Sequence, residues 1–415
     1  MAFRENRIGV VVTGVGLVAP LDWAEIASGR SALKHLTGLE AAGAKAAGPP
    51  YPITGLAWSA ACTAMRDSGI YTGPRSYTID ERLDWDRVAM VVGLSKGDIQ
   101  NLGAVNKLIQ ERSPKEYLIE NAWRQCLPNA SAIGIEPRFR GPRLAPIAAC
   151  ATGLVAAIQG ADLIRLGVCD IALCGAADRS LNPLILGAFR NMKALATVDA
   201  DPARAIRPWD KERSGFLIGE GAAILVLERE DHAKARGVLP YAEFAGGAFG
   251  SDAFHITNLN PDPTGLAHLI GLALKNAEAS PSDLDYINVH GTATRQNDPL
   301  ECRAIRKALG SHADSVSCSA NKAQIGHLLG AAGAAELAIT CLSIRDGFVP
   351  PTLNLDDPDP ACDLDGTPHV GKYRDIRAAM KISIGFGGHI AAAVLRRPDG
   401  PRRMPILLNS APNSA

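Results

Sequence analysis

Apolar positions fall along this chain in two spacings, and each predicts a different element. Short unbroken runs such as Val88–Leu94 and Ile171–Asp178 read as strands apolar on both faces, as a parallel sheet covered by helices requires. Runs that repeat near 3.6 residues read as helices. Leu154, Ile158, Leu163 and Leu166 form one, and the small Ala and Gly residues between them leave it slim enough to lie deep between other layers. From the N-terminus the pattern predicts a buried strand over Ile8–Pro20 with a glycine-rich turn, a loop over 34–56 and a helix from Trp58 to Asp67. A turn-rich loop over Arg207–Gly221 and a strand from Ala222 to Leu227 follow. After Tyr241 the alternation starts again: helix 264–278, strand Tyr286–His290, helix 298–309, strand 315–319, helix 328–345 and strand Met380–Ile384. Two successive runs of alternating strands and helices predict a pseudo-duplicated α/β fold. One half would cover residues 1–240 and the other 241–397, with a loosely ordered tail over 398–415.

Composition narrows the class. A chain of 415 residues exceeds what one hydrophobic core usually supports, which agrees with two core units. The 43 basic and 43 acidic residues balance, which argues against a general affinity for nucleic acid or an anionic membrane while leaving room for a local basic patch. The nine cysteines include no C-x-x-C pair, so neither a zinc site nor a disulfide framework is expected, and a reducing cytoplasm is the natural compartment. No run of about 18 uncharged apolar residues occurs, and the first residues lack the apolar core of a signal peptide, so no membrane insertion is expected.

Four stretches could carry chemistry. In Pro146-Ile-Ala-Ala-Cys150-Ala-Thr-Gly153 the cysteine falls at the first turn of the slim helix, where unpaired N–H groups and the positive dipole end favour a thiolate. His290 ends an apolar strand and precedes Gly291-Thr-Ala-Thr294, which places its imidazole, predicted exposed, at the carboxyl edge where open α/β sheets bind ligands. Ser319–Glu336 repeats the design, with Lys322 in uncharged surroundings and His327 near a helix start that would keep its ring neutral. Gly385-Phe386-Gly-Gly388 is a strand-end loop whose backbone N–H groups can approach a ligand closely. Taken singly, each has a plainer reading: a packing cysteine, a structural histidine, a snorkelling lysine. Gly14-Val-Gly16 lacks the third glycine of a nucleotide loop, so no dinucleotide site is expected.

Taken together, Ala149-Cys150-Ala-Thr-Gly153, Val289-His290-Gly-Thr-Ala-Thr294, Asn321-Lys322, Gly326-His327-Leu-Leu-Gly-Ala-Ala-Gly333 and Gly385-Phe386-Gly-Gly388 strongly resemble the motifs of the β-ketoacyl-acyl-carrier-protein synthases. The resemblance runs from about Ile8 to Leu395, and the steps of 140 residues from Cys150 to His290 and 37 from His290 to His327 are typical of that family's elongating branch. Arg207-Pro-Trp-Asp210, Gly219-Glu-Gly221, Ser251-Asp-Ala253 and Asp298 through Glu301 extend it. It implies the thiolase fold, an αβαβα sandwich of two similar halves, usually a homodimer. It also implies a ping-pong decarboxylative Claisen condensation in fatty-acid or related lipid synthesis.

In that reaction the resemblance makes Cys150 the nucleophile, His290 and His327 the donors to the enolate oxygen, and Lys322, paired with Glu336, the residue ordering the histidines. The backbone N–H groups of Cys150 and Phe386 would form the oxyanion hole, with Phe386 also a gate. Asp298 and Glu301 would support the site, and Thr292 and Thr294 would hold the phosphopantetheine arm. Lys193, with Arg190 near it, would dock an acidic acyl carrier protein. No metal or cofactor is implied. Three features depart from the family pattern: Gly387-Gly388-His389-Ile390 where Gly-Gly-Thr-Asn is common, a shortened N-terminal segment with its helix cut to Trp23–Gly29, and Lys96 near where long-chain enzymes carry an apolar acyl-pocket residue. A buried ammonium needs a partner, so Lys96 must turn to solvent or an acidic residue, or else line a short or polar pocket. Two other readings stand beside the first: a specialised polyketide-type ketosynthase, and a non-catalytic chain-length subunit, which normally lacks the nucleophile present here.

Overall fold

The computed structural model describes residues 7–36, 41–47, 52–72, 80–99, 110, 139–401 and 403–404. Ten strands form one continuous hydrogen-bonded sheet. They are β1 (Val10–Val18), β2 (Val88–Leu94), β3 (Arg143–Leu144), β4 (Ile171–Asp178), β5 (Gly221–Arg229), β6 (Ala242–Ser251), β7 (Tyr286–Asn288), β8 (Ser317–Ser319), β9 (Ala378–Gly385) and β10 (His389–Arg396). Their order is β8-β7-β9-β10-β6-β1-β5-β4-β2-β3. Split between β6 and β1, each half has the same topology. In the first, β2 pairs in parallel with β3 and β4, and β5 is antiparallel to both β4 and β1. In the second, β7 pairs in parallel with β8 and β9, and β10 is antiparallel to both β9 and β6. The halves join through two residue pairs, Val11 with Glu243 and Val12 with Ala242.

The six longest helices among the described residues are α1 (Ile53–Asp67), α2 (Thr152–Arg165), α3 (Pro183–Asn191), α4 (Thr264–Asn276), α5 (Asn297–Leu309) and α6 (Ala332–Asp346). Strand alternation sorts the side chains. Met90, Val92, Leu94, Ile171, Leu173 and Ile224 pack outward onto α1. Ala89, Val91, Cys174, Leu225, Ala379, Ala391 and Ala393 face inward onto α2 and α6. Met380, Ile382, Ala392 and Val394 of the second half pack outward with α4 and α5. The resulting layers are helix, sheet, helix pair, sheet, helix: the αβαβα sandwich of the thiolase fold. All 15 residues of α6 are buried, which fits a helix enclosed on every side.

The enclosed helices need small residues where they cross. A Cβ on Gly153 would lie 2.6 Å from the Ala334 nitrogen, and one on Gly333 would lie 2.8 Å from the Leu154 nitrogen. Each helix also begins in the same way. A single 3₁₀ turn precedes it, Ala149–Ala151 in one case and Leu329–Ala331 in the other, and both turns open on a residue at φ +46°. The duplication therefore makes Cys150 and Gly330 equivalent.

Several predicted elements shift. Gly14 and Gly16 form no turn; β1 continues through them with a register shift between Val12 and Gly14, and they are glycines because α1 crosses so closely that a Cβ at either position would lie 2.2 or 1.9 Å from the Ala64 or Ala60 carbonyl oxygen. The loop expected over 34–56 holds a small ladder, Lys34–His35 with Ala42–Gly43, and α1 starts at Ile53. Of the predicted tail, residues 398–401 and 403–404 are described; Arg403 donates to Asp67 at 2.7 Å and to the Thr13 carbonyl at 2.7 Å. The remainder of the tail lies outside the described residues. The eight described cysteines are all buried, and none of them is disulfide-bonded. Among the described residues, no helix is long and apolar enough to cross a membrane.

Candidate active site

The nucleophile candidate sits in a turn that its neighbours lock. Thr152 donates its hydroxyl to the Ala149 carbonyl at 2.7 Å and accepts the Ala148 N–H at 2.9 Å, which holds Ala149 in its left-handed conformation and fixes the direction of the Cys150 side chain. Gly385 packs against the same turn: a Cβ there would lie 2.8 Å from the Ala148 oxygen and 3.1 Å from the Cys150 nitrogen. The backbone at Gly385–Phe386 thus lies beside the backbone of Cys150. The expected thiolate is not the resting form. Burial pushes the Cys150 thiol up to about 11, against the opposing pull of Lys96 and Lys322, so desolvation outweighs the helix dipole.

His327 comes from the second half and meets Cys150 across the join, with Nε2 3.2 Å from Sγ. Gly326, at φ +76°, lets the chain press against Gly219, where a Cβ would lie 2.8 Å from the Gly219 nitrogen. The Leu329 N–H donates to His327 Nδ1 at 3.3 Å. In the neutral ring this leaves the proton on Nε2, pointing at the sulfur. The ring is neutral because burial lowers its pKa well below 6.5, helped by Lys322, Lys96 and Lys381; burial rather than a helix start sets its charge.

His290 lies beside it, ring centroids 5.4 Å apart at 79°. Instead of being exposed at the sheet edge, it is buried, because the loop after it is clamped down. Glu301 accepts the N–H groups of His290 at 2.6 Å and Gly291 at 2.9 Å. Lys322, wholly buried and so no snorkelling lysine, donates to the His290 carbonyl, to His290 Nδ1 at 3.5 Å and to Glu336 at 2.7 Å. That contact fixes the proton of His290 on Nε2 as well. Burial, then Lys322, keeps this ring neutral too. Both histidines can therefore act as neutral N–H donors beside one thiol.

Cys150, His290, His327, Phe386, Thr292 and Thr294 line one cavity of about 500 Å³. The Thr292 and Thr294 hydroxyls bond each other at 2.9 Å, and Thr294 also accepts the Asn297 N–H at the start of α5. Asp298 stands one step back, accepting the Trp209 N–H at 2.9 Å and so bracing the Arg207–Asp210 loop. Lys193 lies at the cavity rim, whereas Arg190 lines a separate groove with His35 and Leu195. Lys96 is not among the cavity's described lining residues; it turns to an acid, donating to Asp178 at 3.1 Å and to Ser95 at 2.6 Å. In the loop that departs from the family pattern, Gly387 donates to the Ile256 carbonyl and Gly388 accepts the Asp252 N–H, both at 2.8 Å.

Three features escaped the sequence reading. Phe189 and Phe216 link Phe386 to His327 through ring contacts of 6.1, 5.5 and 4.8 Å; they lie far apart in the chain, and only the fold stacks them. Arg295, exposed, lines the same cavity rim as Lys193. Lys381 of β9 is buried, with its Nζ 2.5 Å from the second oxygen of Glu336. Among the described residues, no group of three or more His, Cys, Asp or Glu side chains is placed to hold a metal.

Comparison with known proteins gives the same picture. Residues 44–233 match the family model of the beta-ketoacyl synthase N-terminal domain, and residues 241–356 that of the C-terminal domain. The chain is 35% identical to the tetracenomycin polyketide synthase ketoacyl synthase alpha subunit of Streptomyces glaucescens, covering 96% of this chain and 99% of that protein. It is 34% identical to 3-oxoacyl-[acyl-carrier-protein] synthase 2 of Coxiella burnetii, covering 94% and 98%. Among solved structures it superimposes, with a TM-score of 0.87 and 32% identity over 95% of this chain and 100% of the other, on a type II polyketide-synthase ketosynthase in complex with its acyl carrier protein.

Proposed function

The chain belongs to the β-ketoacyl synthase family, a family of condensing enzymes, and we propose that it is a stand-alone elongating 3-oxoacyl-[acyl-carrier-protein] synthase of fatty-acid or related lipid synthesis. The observation that carries the reading is the meeting, in one cavity, of the Cys150 thiol, a neutral His327 at 3.2 Å and a neutral His290 held by Lys322. In the first half-reaction the Cys150 sulfur attacks an acyl thioester. The new S–C bond forms as the bond to the carrier's pantetheine sulfur breaks, and the thiol proton leaves on the released pantetheine thiol. Backbone N–H groups of Cys150 and Phe386 receive the oxyanion. The His327 N–H stabilises the thiolate as it forms, which offsets the burial that otherwise holds the thiol protonated.

In the second half-reaction the malonyl thioester loses CO₂, and the electron pair of the broken C–C bond becomes an enolate. Its oxygen is met by the N–H groups of His290 and His327, in a dry site where such bonds are worth several kcal/mol. The enolate carbon attacks the acyl-cysteine, the C–S bond to Cys150 breaks, and the sulfur takes up a proton. Thr292 and Thr294 hold the pantetheine arm in the cavity, Lys193 docks the carrier protein at the rim, and the substrates bring their own phosphopantetheine, so no cofactor takes part. We place the enzyme in the cytoplasm as a homodimer.

A second reading, a polyketide-type ketosynthase working with a polar chain or as a partner of a chain-length subunit, is supported by the similarity to the tetracenomycin ketoacyl synthase alpha subunit and to the type II polyketide-synthase ketosynthase. Incubating the protein with a panel of acyl- and malonyl-carrier proteins and weighing the products tests both. Condensation of plain alkyl chains supports the first, and acceptance of β-keto chains only supports the second. In Cys150→Ala the acyl adduct must vanish from the intact mass; an adduct there overturns the assignment of the nucleophile.

A further inference from the structure

We propose that Lys381 is a positioning residue of the condensation site, sharing Glu336 with Lys322 and fixing the strand end that presents His290; this rests on the condensing reading above. Along β9 the outward residues Met380, Ile382 and Ile384 join the outer core, and Lys381 lies between them on the inward face. Packing alone does not explain an ammonium there, because burying an unpaired charge is prohibitive. Its partners explain it. Nζ lies 2.5 Å from one oxygen of Glu336, while Lys322 donates to the other at 2.7 Å. Nζ also donates to the carbonyls of Val289 at 3.0 Å and Asn288 at 3.4 Å, and Lys322 takes the carbonyl of His290. Two lysines, bridged by one carboxylate of α6, thus donate to three successive carbonyls, the last belonging to His290 itself.

The arrangement has an electrostatic consequence. The ionisable groups that face Lys381 are Glu336, Lys322, Glu301 and the two histidines. With the histidines neutral, two ammonium groups share Glu336. Burial, only partly opposed by Glu336, lowers Lys381 to about 8. The protonated form is the one that ties Glu336 to the Asn288–His290 strand end, so condensation should fall as pH rises through about 8. Cys150, up at about 11, would titrate well above that window.

The test is single-turnover condensation on pre-acylated enzyme, followed against pH for the native protein and for Lys381→Met. The native rate should fall above about pH 8, with KM for malonyl substrate unchanged. Lys381→Met should be slower by about 10-fold at neutral pH, with that alkaline fall gone, while Cys150 acylation stays within about twofold. A Lys381→Met enzyme that keeps the native rate and the native alkaline fall overturns the proposal. If that variant does not fold, Glu336→Gln serves: losing the carboxylate should move the fall to lower pH, and an unmoved fall is equally fatal. Nitrogen-15 NMR of the lysine side chains reads the same coupling without turnover, as a resonance titrating near 8 in the native protein and lower in Glu336→Gln; no such shift also overturns the proposal. Failure of every acyl and malonyl pair to turn over would instead remove the functional reading, and the NMR titration would still judge Lys381.

Discussion

Leu329 donates its backbone N–H to His327 Nδ1 at 3.3 Å, and that bond decides which ring nitrogen faces Cys150. His290 is set in the same sense by Lys322. Each ring is therefore a neutral donor, but they differ in what anchors them and in that His327 is the one in contact with the Cys150 sulfur.

Removing either donor should slow condensation by roughly 10²-fold or more, as for a single oxyanion-hole donor. His290→Ala should leave acylation of Cys150 nearly intact, because His327 is the ring in contact with the sulfur. His327→Ala should slow both half-reactions. Burst kinetics with an acyl thioester, compared with single-turnover condensation, separate the two effects. Native condensation rates in either variant would return that histidine to a structural role.

Acid should weaken the fold. Both histidines have folded pKa values well below 6.5, so below 6.5 the unfolded chain binds protons that the folded one does not, and stability falls as pH falls. Each ring contributes up to about 1.4 kcal/mol per pH unit once the unfolded form is fully protonated. Thermal melts at about pH 7.5 and 5.5 should show this loss, and it should shrink in the double variant His290→Ala/His327→Ala.

Gly153→Ala should destabilise by about 1–3 kcal/mol, the usual cost of forcing atoms into a packed core. The added Cβ would lie 2.6 Å from the Ala334 nitrogen, and no flexible side chain is there to yield. A drop in melting temperature with slower alkylation of Cys150 is expected; an unchanged melt would mean that the helix pair can part without loss.

Lys193→Glu should raise KM for carrier-bound substrates and weaken their salt dependence, leaving small pantetheine thioesters unaffected. The side chain is exposed at the rim of the catalytic cavity, where a carrier delivering its arm would pass. An equal loss on both substrate types would point to misfolding instead of docking.

Lys96→Ile made together with Asp178→Asn should leave the preferred acyl chain unchanged, because the Lys96 ammonium is held by Asp178 and does not line the described cavity. The double change matters because Asp178 is buried and would otherwise lose its cation; Ser95, Ser180 and the Gly330 N–H remain as its partners. Competition among acyl-carrier proteins from about C4 to C16 reads the outcome. A shift toward longer chains would return Lys96 to the acyl pocket.

Much of this was legible in the residues, for identifiable reasons. Val88–Leu94 and Ile171–Asp178 were read to the residue, because strands buried on both faces leave unbroken apolar runs. That Cys150, His290 and His327 would meet was legible because each sits in a run of small residues between a strand and a helix. What failed was non-local. Gly14 and Gly16 look like a turn until α1 is laid across them. Lys381 looks like the polar half of an alternating strand until β9 is placed inside the sandwich, opposite a carboxylate 45 residues earlier in the chain. The protonation state of Cys150 was misjudged because a helix end is visible in sequence, whereas the depth of burial around it is not.

The matched turns at Cys150 and Gly330 divide the labour between the two copies of the fold. A Cβ on Gly330 would lie 2.6 Å from that of Ser95 and 3.2 Å from Asp178, so the second copy has no room for a nucleophile of its own; it supplies the two imidazole N–H donors instead. Neither copy is an enzyme alone. The 3.2 Å from the Cys150 sulfur to His327 Nε2 spans the two copies, so the way they pack against each other sets that distance as surely as the two side chains do.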